Sequence, residues 1–224
     1  MSRDIPVIFS APMVRALLDG RKTMTRRLAW RTRWNDGGVI HDGAGGQMDV
    51  VEPHEERIGP SPWQKVKPGD RLWVRESIWW HDVGQWRYGA DKAPVLGRGK
   101  SVATSKPSVG KSIPSIHMPR WASRLTLVVT ATKIERLQDI SPADAVREGL
   151  RHHFIKETGE NFYGVEDARG QFDPALASDA GPREAFARIW KSLHGDDSWH
   201  ANPEVVALTF TVHQQNIDSM KVAA

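Results

Sequence analysis

The chain has 224 residues, with 31 Lys and Arg against 27 Asp and Glu, and a formal charge of +4. It contains no Cys, which excludes disulfides, thiolate metal sites and Cys nucleophiles. Ten Trp and six Phe against two Tyr supply core volume and flat faces for stacking, and no apolar run reaches the ~18 residues of a membrane-spanning helix.

The opening residues MSRDIPVIFSAPM carry Asp4 and no long apolar region, so they do not read as a signal peptide. A soluble, cytoplasmic protein is the expectation. Residues 6–10 read as a short strand. Ser10, Ala11 and Pro12 mark a helix start, with Pro just inside. Met13, Ala16 and Leu17 then fall at i, i+3 and i+4, and Gly20 ends the helix. The next stretch, Gly20 to Arg27, is the most basic part of the chain. Between Arg15 and Arg33 stand seven Lys and Arg against one acid, Asp19. That local charge of +6 leaves −2 for everything else. Such a patch suggests an anionic partner, most simply a phosphate backbone or a nucleotide; the alternative is a solvated basic turn. In a regular strand Lys22 and Thr25 point to opposite faces, so their joint action needs a bend in the backbone.

Residues 30–62 show little periodicity and hold two Gly-rich pieces, and read as a long surface insertion. Lys67 to Asp70 is a turn. Residues 71–77 alternate as a strand, with Leu72, Val74 and Glu76 on one face and Trp73 and Arg75 on the other. Glu76 is either a pocket acid or a strand-end carboxylate paired with an Arg. A second irregular region follows Trp80. Residues 92–134 contain no acid and eight Lys and Arg, and within them Ser112 to Trp121 mixes His117, Arg120 and Trp121 as a nucleotide-stacking loop needs. Residues 124–133 are the clearest strand. Ser141, Pro142 and Asp144 form a helix start of the capping-box kind, and Gly149 stops the helix. Glu148 then lies at the helix end that disfavours an anion, by chance or because it is used. Residues 151–181 read as a third loop-like insertion. Phe186, Ile189, Trp190 and Leu193 mark a strong helix over 182–193, their stripe facing the core. Residues 205–212 alternate as a final strand, and the tail from Gln214 reads as frayed. The pattern is α+β with a mostly antiparallel sheet, in one domain over 1–224 with insertions at about 30–62, 81–112 and 151–181.

No phosphate-loop, dinucleotide-loop or zinc-protease signature is present, nor a nucleophile elbow. His152 and His153 are adjacent, a poor spacing for a metal pair, and no metal or cofactor is expected. What remains is Lys, Thr and Glu chemistry. A desolvated Lys beside other cations serves as a general base, a Thr hydroxyl attacks or positions a water, and a carboxylate orients the Lys. Lys22 and Thr25, beside Arg21 and Arg26, suit this scheme.

The run Leu18-Asp19-Gly20-Arg21-Lys22-Thr23-Met24-Thr25-Arg26 resembles the G-x-K-x-x-T-x-R signature of ASCH domains, whose fold is a PUA-like β-barrel. Lys67 to Leu72, Leu137 to Ile140, Asp144 to Leu150 and the closing strand are similar to further parts of that family. The longer form, with RLWVRES and PSIHMPRWASR, resembles ASCH proteins of bacteriophages and prophages, which would place the chain in a bacterial host's cytoplasm. The resemblance covers about half the residues. It implies a mostly antiparallel barrel with short flanking helices, and RNA, DNA, a nucleotide or a nucleoside as partner. One small bacterial branch hydrolyses the amide of N(4)-acetylcytidine with a Lys, a Thr and a Glu. That resemblance implies Lys22 as base, Thr25 as nucleophile or water-orienting hydroxyl and Glu148 as partner of Lys22. It leaves Arg21, Arg26, Arg75, Glu76, His117, Arg120 and Trp121 as candidates for substrate binding. Other family members are ribonucleases, so a ribonuclease or a non-catalytic nucleic-acid-binding module stands as the alternative.

Overall fold

Ser10 in extended conformation and Pro12 in the first turn start α1 (Ala11–Leu18), which follows strand β1 (Asp4–Ile8). Gly20, at φ +73°, ends the helix. The computed structural model describes residues 2–35, 38–40, 49–51, 54–81, 84–96 and 108–220. After α1 come β2 (Met24–Leu28), β3 (Trp30–Asn35), β4 (Gly38–Ile40), β5 (Asp49–Val51), β6 (His54–Pro60) and β7 (Arg71–Arg75). Next are β8 (Ile78–His81), β9 (Gln85–Tyr88), β10 (Ser112–Ile113) and the long β11 (Thr126–Arg136). The chain continues through α2 (Pro142–Arg147), β12 (Arg151–Ile155), β13 (Glu160–Gly164), α3 (Pro182–His194) and β14 (Glu204–His213).

Five strands form the central sheet in the order β1-β7-β11-β14-β2. The β1–β7 pair is parallel and the other three pairings are antiparallel. This is the α+β, mostly antiparallel architecture read from the sequence. The barrel is a different matter. Among the described residues no closed barrel is detected, and the central sheet is open, with β1 and β2 as its outer strands. Val14 and Leu17 of α1 pack on Leu72, Val74, Leu127, Val129, Val206 and Leu208 of the sheet. A second core lies under α2 and α3, where Ala145 meets Phe186, Ile189 and Trp190. A third, smaller one holds Ile78, Trp86, Tyr88 and Met118.

Three segments read as irregular are built of strands. Residues 30–62 contain the β3–β6 and β4–β5 ladders. Residues 78–88 form a hairpin, with β10 added to its edge. Residues 151–164 form the β12–β13 hairpin. The β12–β13 hairpin shows no alternation because its residues are mostly exposed, whereas β9 does alternate, with Trp86 and Tyr88 buried. The part of the 81–112 insertion at 97–107 lies outside the described residues. The tail is also better anchored than expected. Ile217 is fully buried, and the Asn216 side chain donates to the carbonyls of Arg120, Trp121 and Ser123.

Ser141 caps α2, its hydroxyl accepting from the Asp144 N–H at 3.1 Å. Gly149 then turns the chain at φ +106°. A Cβ there would stand 3.0 Å from Ala16 Cβ and 3.2 Å from Lys22 Cβ. Gly149 thus permits both the turn and the close approach of α2 to the segment carrying Lys22. Gly149→Ala should therefore lower the unfolding free energy by about 1–3 kcal/mol in urea titrations.

Candidate functional site

Lys22 does not lie in a strand. Its N–H donates to Ala16 O at 2.9 Å and the next N–H, of Thr23, to Arg147 O at 2.9 Å. These bonds hold residues 21–23 as a bent connection between α1 and β2, so the strand alternation that would separate Lys22 from Thr25 does not begin until Met24. Both side chains line one small pocket of about 90 Å³, together with Phe9, Arg26, Arg27, Glu148 and the α3 residues Phe186, Ile189, Trp190 and His194.

The Lys22 ammonium is 2% exposed. It donates to the Glu148 carbonyl at 2.7 Å and to Glu148 Oε2 at 2.9 Å. The other carboxylate oxygen, Oε1, accepts from Arg26 at 3.1 Å. Arg26 also donates from two nitrogens to Glu135 Oε1, at 2.7 and 3.1 Å. Lys133 reaches Glu135 Oε2 at 2.7 Å from the solvent side. The result is a buried chain of alternating charge, Lys22–Glu148–Arg26–Glu135. Isolated, each of these charges would cost several kcal/mol to bury; paired and hydrogen-bonded, the four are close to neutral as a set. Burial pushes the Lys22 amine below the ordinary lysine range. Glu148 opposes that shift, while Arg27 and Arg26 add to it. Because Arg26 takes one oxygen of Glu148, the carboxylate's hold on Lys22 is shared.

The aromatic wall completes the pocket. The Lys22 amine stands 5.4 Å from the Phe9 ring, and Arg26 stands 6.0 Å from Phe186. Phe186, Ile189 and Trp190 are buried as the helical stripe requires, and they face the pocket as well as the core. Leu193, the fourth residue of that stripe, is 68% exposed at the pocket's rim.

The remaining sequence candidates stand elsewhere. Arg21 pairs with Asp19 at 2.9 Å and donates to Gly149 O at 2.8 Å, tying the end of α1 to the end of α2. Glu76 is buried at the end of β7 and takes both arms of Arg124, at 2.8 and 3.1 Å. Burial pushes its carboxyl above the usual carboxylate range against those bonds. Arg75 lies over the Trp73 ring at 5.3 Å. Arg120 pairs with Asp4 and Asp218. His117 is exposed, and Trp121 packs on the third core. None of these six lines the Lys22 pocket. Two partners escaped the sequence reading. Glu135 sits in a strand whose register shifts between Val129 and Ala131, so alternation does not reveal that it is buried. His194 carries only its place one residue beyond the α3 stripe.

The concentrated basic charge is largely consumed. Arg15 pairs with Glu166 at 2.7 Å, and Arg21, Lys22 and Arg26 each have a carboxylate. Arg27 pairs with no carboxylate among the described residues. Its guanidinium stands over the Phe9 ring at 5.1 Å and over the Trp63 ring at 5.6 Å. Among the described residues no group of three or more His, Asp or Glu is placed to hold a metal ion, and no helix is long and apolar enough to cross a membrane. No family model, no curated protein and no solved structure matches the chain.

Removing one member of a buried charge pair strands the other. Glu148→Ala should cost about 3–5 kcal/mol of stability in chemical denaturation. Replacing both members, Lys22→Met with Glu148→Leu, should recover part of that loss, since no uncompensated amine remains.

Proposed function

We propose that the chain is an ASCH-type protein with a PUA-like core, and that its Lys22 pocket hydrolyses the amide of an N-acylated, cytidine-type nucleoside. The observation that carries this reading is the buried Lys22–Glu148 pair opening, with Thr25, onto one small aromatic-walled pocket. Phe9, Phe186 and Trp190 line the pocket, aromatic rings of the kind a flat base packs against. The order of α1, the Gly20 turn, β2 and α2 against the central sheet is consistent with the family resemblance.

The chemistry follows from the amine's environment. Burial favours neutral Lys22, which accepts the hydroxyl proton of Thr25 or a proton from water that Thr25 orients. The freed oxygen attacks the acyl carbonyl carbon. As the C–N bond breaks, the Lys22 ammonium returns the proton to the departing exocyclic nitrogen, and the free base leaves as an amine. If Thr25 carries the acyl group, water then releases it as the carboxylic acid. Glu148 holds the Lys22 amine in position throughout, itself fixed by Arg26.

The alternative, a ribonuclease or a binding module, draws on the cations Arg27 and Arg31 beside the pocket. The two readings part on Thr25, which carries no charge for a phosphate. Incubation with N(4)-acetylcytidine, followed by chromatography, should yield cytidine. Thr25→Ala should lower the rate by about a hundredfold or more, whereas nucleic-acid binding by the alternative would survive that change. The pH profile has a definite sign. The base must be neutral, so the rate rises with pH along a limb centred below the ordinary lysine range, and it falls away in acid as Lys22 protonates. Absence of cytidine at every pH would discard this substrate.

A further inference from the structure

A second pocket of about 300 Å³ adjoins the first and shares Arg26, Arg27, Trp190 and His194 with it. No Asp or Glu lines it. Three residues of its wall each carry a buried polar atom without a hydrogen-bond partner among the described residues: Arg27 Nε, Ser61 Oγ and Trp190 Nε1. Ser61 and Trp190 are each only 4% exposed. Buried donors are almost always satisfied, and each one left open costs about 1–3 kcal/mol. Three in one pocket call for an occupant rich in acceptors.

Each of these residues comes to the pocket wall for a reason visible in the fold. Ser61 ends the inserted β3–β6 ladder, its N–H donating to Ala29 O at 2.8 Å. It stands at the N-cap of the turn Pro62–Lys65, where a Ser hydroxyl ordinarily accepts from a backbone N–H; here it makes no such bond. Arg27 gives one terminal nitrogen to Ile8 O at 2.9 Å and stands over the Phe9 and Trp63 rings, with Nε unspent. Trp190 comes from α3, and an indole N–H can only donate. Arg31 adds a second guanidinium from β3.

Charge limits where an anion can sit. Farther out, the neighbouring cleft is lined by Asp196, Asp197 and Glu204 as well as by Arg57 and Arg136. Glu204 occupies Trp30 Nε1 at 2.7 Å and pairs with Arg57 at 3.5 Å. The acid-free, donor-rich wall is therefore confined to the middle pocket, next to Lys22.

We propose that this middle pocket is a phosphate subsite, in which Arg27, Arg31, Ser61 and Trp190 bind the phosphate of a nucleotide whose base enters the Lys22 pocket. The phosphate chemistry stands on the donors alone. The statement that the substrate is a nucleotide and not a free nucleoside rests on the function proposed above. Charge-assisted donors on a phosphate are the strong kind of hydrogen bond. The phosphate belongs either to a mononucleotide or to a strand of RNA.

The test is a titration of the full-length ¹⁵N-labelled chain with inorganic phosphate, cytidine, cytidine 5′-monophosphate and a short oligocytidine RNA. The indole N–H of Trp190 is followed by NMR, assigned with Trp190→Phe, and affinities come from calorimetry. The monophosphate should bind at least about tenfold tighter than cytidine, and both it and inorganic phosphate should move the Trp190 indole resonance. Ser61→Ala should erase most of that preference while leaving cytidine affinity in place, and Arg27→Gln should erase the preference as well. Equal binding of cytidine and its monophosphate, with the Trp190 indole unmoved, overturns the subsite. So does a phosphate preference untouched by both substitutions. RNA binding tighter than the monophosphate supports the subsite with a strand as the source; equal binding supports it with the mononucleotide. Hydrolysis of N(4)-acetylcytidine without any phosphate preference would sink this inference alone. Phosphate binding through these residues without hydrolysis would sink the proposed reaction alone.

Discussion

The structure depends on one chain of buried charge, Lys22–Glu148–Arg26–Glu135. Its four members come from the connection after α1, the end of α2, β2 and β11, so it ties the helical side of the molecule to the central sheet. Such a chain survives burial only if every charge meets its opposite with good geometry. Glu148 spends one oxygen on Lys22 and the other on Arg26, and Arg26 spreads its planar fork over two carboxylates. A Lys at position 26 could not span both, because its ammonium is a point donor on a single stem.

That arrangement also shapes the chemistry of the pocket. Glu148 both positions the Lys22 amine and favours its charged form, a conflict for any role as a base. Arg26 moderates the conflict by drawing on the same carboxylate, and burial tips Lys22 toward neutrality. Arg27 is a different kind of cation. It lacks a carboxylate partner among the described residues, stands over two aromatic rings, and lines a pocket with Ser61 and Trp190, whose buried polar atoms are likewise unpartnered. Of the basic cluster, most residues hold the fold together, and Arg27 and Arg31 face the adjoining pocket.

The two adjoining pockets have different origins. The first is made by the core elements α1, β2, α2 and α3. The second needs Ser61 and Trp63, which close the inserted β3–β6 segment. The insertion is thus a wall of the adjoining pocket. Its effect is to set a donor-rich surface beside an amine-and-carboxylate site, two chemistries that a single nucleotide would present together.

Much of the backbone plan is a local matter and is legible in the chain itself. Ser10 with Pro12, Ser141 with Asp144, and the glycines at 20 and 149 mark helix boundaries, because capping and positive φ depend on a few adjacent residues. The stripe of α3 likewise reflects one buried face, and the alternation of β14 shows through although both its faces are buried, Val206, Leu208 and Phe210 in one core and Val205 in another. The spacing of Lys22 and Thr25 is visible too, though not that a bend lets them share a pocket. Burial and pairing were decided only by tertiary structure. Glu135 and Glu148 lie 109 and 122 residues from Arg26, in no motif that links the three, yet Arg26 joins them because β2, β11 and α2 converge. Four of the seven cations in the apparent +6 patch became ion pairs for the same reason: Arg15, Arg21, Lys22 and Arg26 meet carboxylates far along the chain. The hairpins in the insertions, and the stranded donors of Ser61 and Trp190, arise from long-range contact as well. Charge and propensity are properties of residues, whereas desolvation and hydrogen-bond satisfaction are properties of neighbourhoods, and only the folded chain creates those.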